Sequence, residues 1–408
     1  MSAHALDMRK GMPQRRRSTA RKSVLDENVP APVDGMLVIT IFALIGLGLV
    51  MVGSSSLAIA ERNLGEPFYY LIRQFVFVVG GLGLSLVVLN IPLAWWCRVS
   101  PVMFIAGMLV LAAVLVPGVG REVNGATRWL SLGLFNLQPS EFMKLFVIIY
   151  LAGYLVRRGD EVRSHVIGFL KPMLLLVVVA LLLLLEPDLG ASVVIFGTAL
   201  GMMFLAGVRL WQFAILIGLI GGAGALLILT SPYRLERVTA FLNPWADPFN
   251  SGFQLTQSLI AFGRGEWFGV GLGGSIQKLF YLPEAHTDFV FAVLAEELGL
   301  LGGLAVVTLF VALVWRAFVI AREAQYYGQF FAAYIAYGVA LWIAMQAFIN
   351  LGVNMGVLPT KGLTLPLMSY GGSSMLATCI AVGLLLRVDI ETRIARREST
   401  TLPAGGGR

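Results

Sequence analysis

Five ionisable residues open one long apolar run, in the stretch YLPEAHTDFVFAVLAEELG at 281–299; they are Glu284, His286, Asp288, Glu296 and Glu297. Carboxylates inside a bilayer are costly and indicate a functional site by default. If the run is a helix, Asp288 and Glu296 are about 80° apart around its axis and about 12 Å apart along it, roughly on one face. This spacing predicts a partly polar cavity with an aspartate at its rim. With cations nearby, such a cavity suits an anionic, lipid-linked substrate.

Helix capping explains only part of this pattern. Thr287 is predicted to cap the helix and Asp288 to lie in its first turn, where the helix amides favour the ionised carboxylate. Capping does not account for Glu296, which would face lipid unless the interior of the bundle is polar. His286 is expected to orient the loop rather than to take part in chemistry.

Cations occur in a second segment, RWLSLGLFNLQPSEFMK at 128–144. Pro139 fits the first turn of a helix, and Glu141 and Lys144, three residues apart, share one face of it. Two interpretations are equally open. Glu141 and Lys144 form an ion pair in which the two groups satisfy each other and extend toward the outer membrane surface, or Lys144 is a functional lysine inside a membrane span. Arg128 is either an interfacial arginine in contact with solvent, which spacing alone favours, or a clamp for phosphate.

A third segment, INLGVNMGVLPTKGLTLPLMSYGGSSM at 349–375, adds Lys361 and Ser369 to other polar residues near apolar helix. Close helix packing by small residues and a cavity lined by irregular backbone are both consistent with it. Two prolines and a lysine at the mouth of the segment favour the cavity.

Composition places these segments in a membrane protein. The chain has 408 residues, of which 58% are hydrophobic and 13% charged, whereas soluble proteins have about 25% charged residues. Continuous apolar runs predict the all-α class, as a polytopic bundle of membrane helices, and argue against a barrel. Many basic residues lie at the two ends of the chain, so the net charge of +7 indicates contact with anionic lipid rather than with nucleic acid.

Ten membrane spans are predicted, with a large segment at 231–287 between the seventh and the eighth. Their ranges are 35–58, 70–90, 99–117, 139–156, 167–186, 189–207, 211–230, 288–315, 329–351 and 365–387. Residues 1–33 are predicted to form a disordered basic tail, residues 34–390 the membrane domain, and residues 391–408 a second tail. The asymmetry of lysine and arginine places both termini in the cytoplasm, so the 231–287 segment faces outward.

The stretch GVGLGG at 269–274 matches the G-x-G-x-x-G fingerprint of dinucleotide-binding sites. That site requires a strand before the glycines and a helix after them, and neither is expected here. A flexible or tightly turned loop is predicted instead. Cys97 and Cys379 are predicted to stay unpaired, and they lack metal-ligand spacing.

Long collinear motifs cover most of the chain. NPWADPF, NGATRW, QPSEFMK, EPDLG, KLFYLPEAHTDF and NLGVNMGVLPTKGLTLPLMSYGGSS together resemble the FtsW/RodA/SpoVE (SEDS) family over about residues 35–390. The KLFYLPEAHTDF and GLTLPLMSYGGSS motifs resemble the division branch of that family. One departure is Glu186, where many members of the family have glutamine.

The resemblance implies a peptidoglycan glycosyltransferase that polymerises lipid II at the outer face of the cytoplasmic (inner) membrane and releases undecaprenyl diphosphate. The family's catalytic aspartate falls on Asp288, which would deprotonate the GlcNAc 4-hydroxyl of the acceptor. Candidates for contact with the diphosphate are Arg128, Lys144 and Lys361, and candidates for the wider substrate site are Glu141, Glu296 and Ser369. No cofactor is expected with certainty, and a divalent cation, Mg²⁺ or Mn²⁺, is a candidate assistant.

The expected partners are lipid II, membrane lipids, a class B penicillin-binding protein that acts as the septal transpeptidase, and other membrane proteins of the divisome. Two alternatives stay open: a lipid II flippase and a non-catalytic scaffold for the transpeptidase. A flippase needs access to both leaflets, whereas the reactive groups cluster outward, in 128–144, 231–288 and 354–374, which favours the polymerase. A scaffold would leave Lys144 and Glu296 without an explanation.

Overall fold

Apolar helices make up most of the chain. The computed structural model describes residues 33–123, 126–131, 133, 136–231, 241–250, 252–360 and 362–401. In that part of the chain the helices are α1 (Gly35–Leu64), α2 (Tyr69–Leu89), α3 (Leu93–Val114), α4 (Pro139–Ser164), α5 (Val166–Leu185), α6 (Leu189–Leu205), α7 (Leu210–Leu229), α8 (Phe253–Gly265), α9 (Val290–Tyr326), α10 (Phe330–Asn354) and α11 (Gly372–Thr401). The predicted all-α class is confirmed, and the chain is an integral membrane protein.

The helices fall where the spans were predicted. Within the described residues, eight of them are long and apolar enough to cross a membrane, and α6 is a shorter apolar helix. The number of crossings stays a prediction. α8 lies inside the 231–287 segment and joins no predicted span.

Several helix boundaries differ from the predicted ones. α3 begins at Leu93, whereas its span was predicted to begin at residue 99. α11 begins at Gly372 rather than at residue 365, and it continues to Thr401, beyond the predicted end of the span and into the predicted tail. Ion pairs one turn apart, Arg387–Glu391 and Asp389–Arg393, support this continuation, because opposite charges at i and i+4 stabilise a helix in water.

A small antiparallel sheet precedes α4, and the sequence did not predict it. Its strands, β1 (Gly120–Val123), β2 (Ala126–Ser131) and β3 (Asn136–Leu137), lie in the order β1-β2-β3. The sheet carries Arg128 and delivers the chain to Pro139, the first residue of α4. The paired Cα positions include Gly120–Leu130, Val123–Ala126, Leu130–Leu137 and Ser131–Asn136.

The bundle has an inner and an outer set of helices. α4, α10 and α11 are mostly buried, whereas α2 and α3 expose most of their surface. Exposed side chains such as Val76 and Val102 are apolar, as expected for helices that face lipid tails. Polar side chains are therefore concentrated on the inner helices, where other protein groups can satisfy them.

The C-terminal part of α9 is bonded to residues near both ends of the described chain. Arg316 of α9 and Arg393 of α11 both pair with Asp34, which also caps the first turn of α1 through Leu37 N. The backbone N–H of Asp34 donates to Asp389 of α11 (3.0 Å). This cluster fixes the entry of α1 against α9 and α11.

Candidate active site

Asp288 lies just before α9 rather than in its first turn. The helix begins at Val290 with Phe289 as its N-cap residue, and no side chain caps it. The predicted cap by Thr287 is wrong, because the Thr287 hydroxyl donates instead to the carbonyl (3.1 Å) and carboxylate (2.7 Å) of Glu284. A tight turn from Glu284 thus holds Asp288 at the helix entrance.

Two asparagines of α10 hold the backbone of Asp288. The side-chain amides of Asn350 and Asn354 donate to its carbonyl oxygen, at 2.9 and 3.0 Å. Asn354 Oδ1 also accepts from the N–H of Ala292 (3.0 Å), which donates to the carbonyl of Phe289 as well (3.0 Å). The backbone position of Asp288 is therefore set by α10.

The carboxylate of Asp288 makes no hydrogen bond to any described residue. It lies beside Gly362, where an added Cβ would be 3.1 Å from Oδ2. The side chain is only partly buried. A fixed backbone and an unbonded carboxylate leave this group available to a ligand.

Burial raises the pKa of Asp288 to about 7, and the nearby charges of Glu284 and Asp188 act in the same direction, whereas Arg128 lowers it. The expectation was that helix amides keep this carboxylate ionised; Asp288 lies before the helix rather than in its first turn, and desolvation acts in the opposite direction. A pKa near 7 suits a general base at neutral pH.

Arg128 comes to this site from β2. Its guanidinium lies near enough to Asp288 and Glu186 to lower the pKa of both carboxyl groups. The residue is half-buried, and its Nε is buried without a hydrogen-bond partner in the described structure. Of the two interpretations of Arg128, the cation at a binding site fits this placement better, since part of its hydrogen-bonding capacity is unused.

Asp188 and Glu186, of the EPDLG motif, complete the acidic surroundings of Arg128. Asp188 caps α6 at Ala191 N (3.1 Å) and accepts from Ser140 Oγ (2.8 Å) and Gln138 Nε2 (3.1 Å) at the start of α4. The sequence analysis did not place either acid at the site. The available signal was two carboxyl groups around a proline inside a long apolar stretch.

Lys144 is closed inside the bundle. Its Nζ contacts Glu141 Oε1 (2.8 Å) and Gln346 Oε1 (2.7 Å), and its side chain is 1% exposed. Gln346 in turn accepts from Trp342 Nε1 and donates to the carbonyl of Thr364. The pair does not reach outward as one interpretation held. Two described side chains accept from the ammonium group, whereas Glu141 Oε2 is buried without a hydrogen-bond partner in the described structure.

Ser369 shapes the turn before α11. Its hydroxyl accepts from Leu365 N (2.8 Å), and its carbonyl accepts from Gln74 of α2 (3.0 Å). Lys361, the remaining predicted cation, lies outside the described residues. Its neighbour Gly362 lies beside Asp288, as noted above.

Glu296 and Glu297 are fully buried and fully paired. Glu296 forms an ion pair with Arg264 of α8 and accepts hydrogen bonds from Ser275 Oγ, Ile276 N and Gln277 N. Glu297 accepts from Lys278 Nζ (2.7 Å) and from Ser54 Oγ of α1. The polar interior predicted from Glu296 is thus filled by the segment 264–278.

That segment crosses α9 at a break. Gly299 has a left-handed backbone (φ +67°) inside α9. The carbonyls of Glu296 and Glu297, before the break, accept from Val270 N and Gly271 N, both at 3.0 Å. After it, Leu300 N and Leu301 N donate to Glu266 O (2.9 Å) and Trp267 O (3.2 Å).

Gly269 of GVGLGG and Gly299 of α9 are needed for this crossing. Gly269 has φ +78°, and a Cβ there would lie 2.1 Å from Glu297 O. A Cβ on Gly299 would lie 2.4 Å from Gly269 N. The motif is a tightly turned loop, as predicted, and its role is close approach to a helix backbone.

Among the described residues, Asp288 lies neither in a cluster of possible metal ligands nor in the apolar groove between α9 and α10. Among the described residues, no three or more His, Cys, Asp or Glu side chains are placed to hold a metal ion. An apolar groove of about 520 Å³ lies between α9 and α10, lined by residues such as Phe310, Trp315 and Phe348, away from Asp288.

Comparison with known proteins gives one consistent result. Residues 35–394 match the family model of FtsW, RodA and SpoVE, described as "Cell cycle protein". The chain is 62% identical over 356 residues to the "Probable peptidoglycan glycosyltransferase FtsW" of Thioalkalivibrio sulfidiphilus, covering 87% of this chain and 89% of the relative. It is 55% identical to the protein of the same name from Coxiella burnetii, covering 88% and 96%.

Solved structures agree with this similarity. A chain from a peptidoglycan synthase complex, in a study of polymerization and crosslinking, superimposes with a TM-score of 0.73 at 34% identity, covering 89% of this chain and 99% of the other. The rod shape determining protein RodA of Thermus thermophilus superimposes with a TM-score of 0.66 at 31% identity, covering 88% and 97%. Family and fold therefore point to the same group of membrane proteins.

Proposed function

Because the chain belongs to the FtsW/RodA/SpoVE family, we propose that it is a peptidoglycan glycosyltransferase that polymerises lipid II with Asp288 as the general base. The single observation that carries the assignment of the base is that Asn350 and Asn354 hold the backbone carbonyl of Asp288, while its carboxylate makes no hydrogen bond to any described residue. Its pKa of about 7 and the adjacent Arg128 support the same role.

The reaction follows from these two side chains. The acceptor's GlcNAc 4-hydroxyl gives its proton to Asp288, and its oxygen forms a bond to the anomeric carbon of the donor. The bond from that carbon to the diphosphate oxygen breaks with inversion, and undecaprenyl diphosphate leaves with the electron pair. Arg128 lies where it can stabilise the charge that develops on the diphosphate.

The setting of this reaction is part of the proposal. Both termini are cytoplasmic, so Asp288 is at the outer face, beside the sugars of a substrate whose lipid remains in the bilayer. The similarity to a chain of a peptidoglycan synthase complex supports a class B penicillin-binding protein as partner. Its curated relatives carry the FtsW name, which supports work at the division septum with other divisome proteins.

Incubation of the purified chain with lipid II, with and without its transpeptidase, tests the activity directly. Glycan strands longer than the substrate are expected on a gel, and more of them when the partner is present. A flippase or a scaffold would leave lipid II unpolymerised under both conditions, which would contradict the proposal.

A further inference from the structure

Another cavity lies at the opposite end of α4 from the candidate active site. It encloses about 440 Å³ between the last turns of α4 and the first turns of α10. Gln138, at the start of α4, bonds to Asp188 beside the candidate active site, whereas Arg157 in the lining of this cavity lies about 28 Å further along the helix axis. The reaction proposed above therefore does not use this cavity.

One part of the cavity lining is apolar. Leu155 and Val156 of α4, with Phe330 and Tyr334 of α10, supply aliphatic and aromatic surface. Val156 is 44% exposed and Phe330 is 48% exposed, so other parts of the chain do not cover this surface. Apolar surface next to charged residues at the end of a membrane helix suits a molecule with a hydrocarbon chain and a charged headgroup.

The charged part of the lining has more guanidinium groups than carboxylates available to meet them. Glu161 is already bonded to Arg158 (3.2 Å) and to Lys171. The other charged residues of the lining are Arg157, Arg163 and Asp160. Two arginines therefore remain against one acid, which favours an anionic ligand.

The guanidinium of Arg157 lies deeper along the membrane span than its own backbone. Its Nη1 and Nη2 are 2.9 and 3.3 Å from the position that a Cβ on Gly153, one turn earlier in α4, would take. The side chain is exposed, and it makes no hydrogen bond or ion pair with any described residue. Arginines near helix ends ordinarily extend toward water, so a cation held back along the helix indicates an anion at the membrane boundary.

Arg163 presents a second guanidinium, and one bond orients it. Its Nε donates to the carbonyl of Ala206 at the end of α6 (2.8 Å), and its two terminal nitrogens make no hydrogen bond to a described residue. A guanidinium fixed at one edge keeps the other edge for a planar, two-bonded contact, which is the geometry that phosphate oxygens accept.

We propose that this cavity binds an anionic phospholipid, with Arg157 and Arg163 on its phosphate and Phe330 and Tyr334 against its glycerol and the first methylenes of its acyl chains. Inorganic phosphate would satisfy the arginines and leave the apolar surface uncovered. A zwitterionic phospholipid would bring a second cation to the same arginines. The site is separate from Asp288, and its occupation does not depend on glycosyltransferase activity.

The test measures Kd for short-chain phosphatidylglycerol and short-chain phosphatidylcholine with the purified full-length chain in detergent micelles. The wild type should bind phosphatidylglycerol more tightly than phosphatidylcholine. Arg157→Gln should weaken binding of phosphatidylglycerol about tenfold, because charge-assisted hydrogen bonds to the phosphate are lost. The unfolding temperature of this variant without lipid should equal that of the wild type, and added phosphatidylglycerol should raise it less.

Arg322→Gln is the matched control. It removes the same charge from an exposed position near the end of α9 that does not line the cavity, and its Kd for phosphatidylglycerol should equal that of the wild type. An equal Kd in the wild type and Arg157→Gln, or an equal loss in Arg322→Gln, would overturn the proposal, because general surface charge would then explain the binding. Inorganic phosphate that binds as tightly as phosphatidylglycerol would identify a site for the free ion and would contradict the lipid assignment.

Discussion

Two groups of charged side chains lie at the same end of α9 and differ in how their atoms are paired. The anchored cluster comprises Glu296 and Glu297 with Arg264, Lys278 and Ser54, and every carboxylate oxygen in it accepts at least one hydrogen bond. The open cluster comprises Asp288, Glu186 and Arg128, and its two carboxyl groups lack hydrogen bonds within the described structure. The described protein groups supply hydrogen-bond partners for the carboxylates of the anchored cluster, but not for those of the open cluster.

This difference separates structural from functional charge. A buried ion pair that the protein satisfies holds its elements in one arrangement, whereas removal of one partner is strongly destabilising. Buried polar atoms without partners are rare, and they occur where a ligand or a proton is expected. Position in the sequence does not distinguish the clusters, since Asp288 and Glu296 lie in the same stretch.

The largest effect is expected from the open cluster. Asp288→Asn keeps the size of the side chain and cannot accept the proton, so polymerisation should fall about 10²–10⁴-fold. In the wild type the rate should rise with pH through about 7, where it is half-maximal, and level off about one unit above, because the protonated acid is inactive. Glycan from lipid II, measured with purified complexes, checks both points.

Asp160→Asn, at an exposed position on α4, is the matched control and should polymerise normally. The unfolding temperature of Asp288→Asn should equal that of the wild type, since no described hydrogen bond reaches its carboxylate. Equal glycan from Asp288→Asn and the wild type would remove Asp288 from catalysis.

The anchored cluster should respond through stability instead. Glu297→Leu leaves Lys278 buried without its partner, and it should lower the free energy of unfolding by about 3–5 kcal/mol. The measurement is unfolding in detergent micelles. The double variant Glu297→Leu/Lys278→Met removes both charges and should recover much of this loss.

If the single variant were as stable as the wild type, or if the double variant were no better than the single one, the pair would not hold the segment 264–278 in place. The paired charges of the anchored cluster would then have no role in stability.

Lys144 is a third buried charge, and its variants test whether paired charge inside the bundle also acts through stability. Its ammonium is satisfied by Glu141 and Gln346, so we expect Lys144→Met to behave like the anchored cluster. The loss should be smaller, about 1–3 kcal/mol for a buried group left unpaired, because the Glu141 carboxylate lies in the first turn of α4, where the helix dipole favours it. The folded fraction, isolated by size exclusion, should polymerise lipid II at the wild-type rate.

Glu141→Gln/Lys144→Met, which removes both charges, is the companion variant and should be more stable than Lys144→Met alone. A stable, folded Lys144→Met protein with little polymerase activity would instead place Lys144 in the substrate site.

The sequence by itself determined the membrane bundle and the importance of residues 281–299. Continuous apolar runs have no alternative to helices in lipid, because each backbone group must be bonded within its own segment. The conflict between carboxylates and hydrocarbon was equally visible without coordinates, and it singled out Asp288, Glu296 and Glu297 as residues whose placement needs an explanation.

Only the tertiary structure decided which of those partners the protein supplies. Hydrophobic periodicity reports the neighbours of a residue along one helix, whereas Arg264, Ser275 and Lys278 meet α9 across a break at Gly299. Likewise, a short sheet without a clear sequence signal brings Arg128 to Asp288 and Glu186. These contacts depend on how distant segments pack, so the distinction between paired and unpaired acids emerges only when the chain has folded.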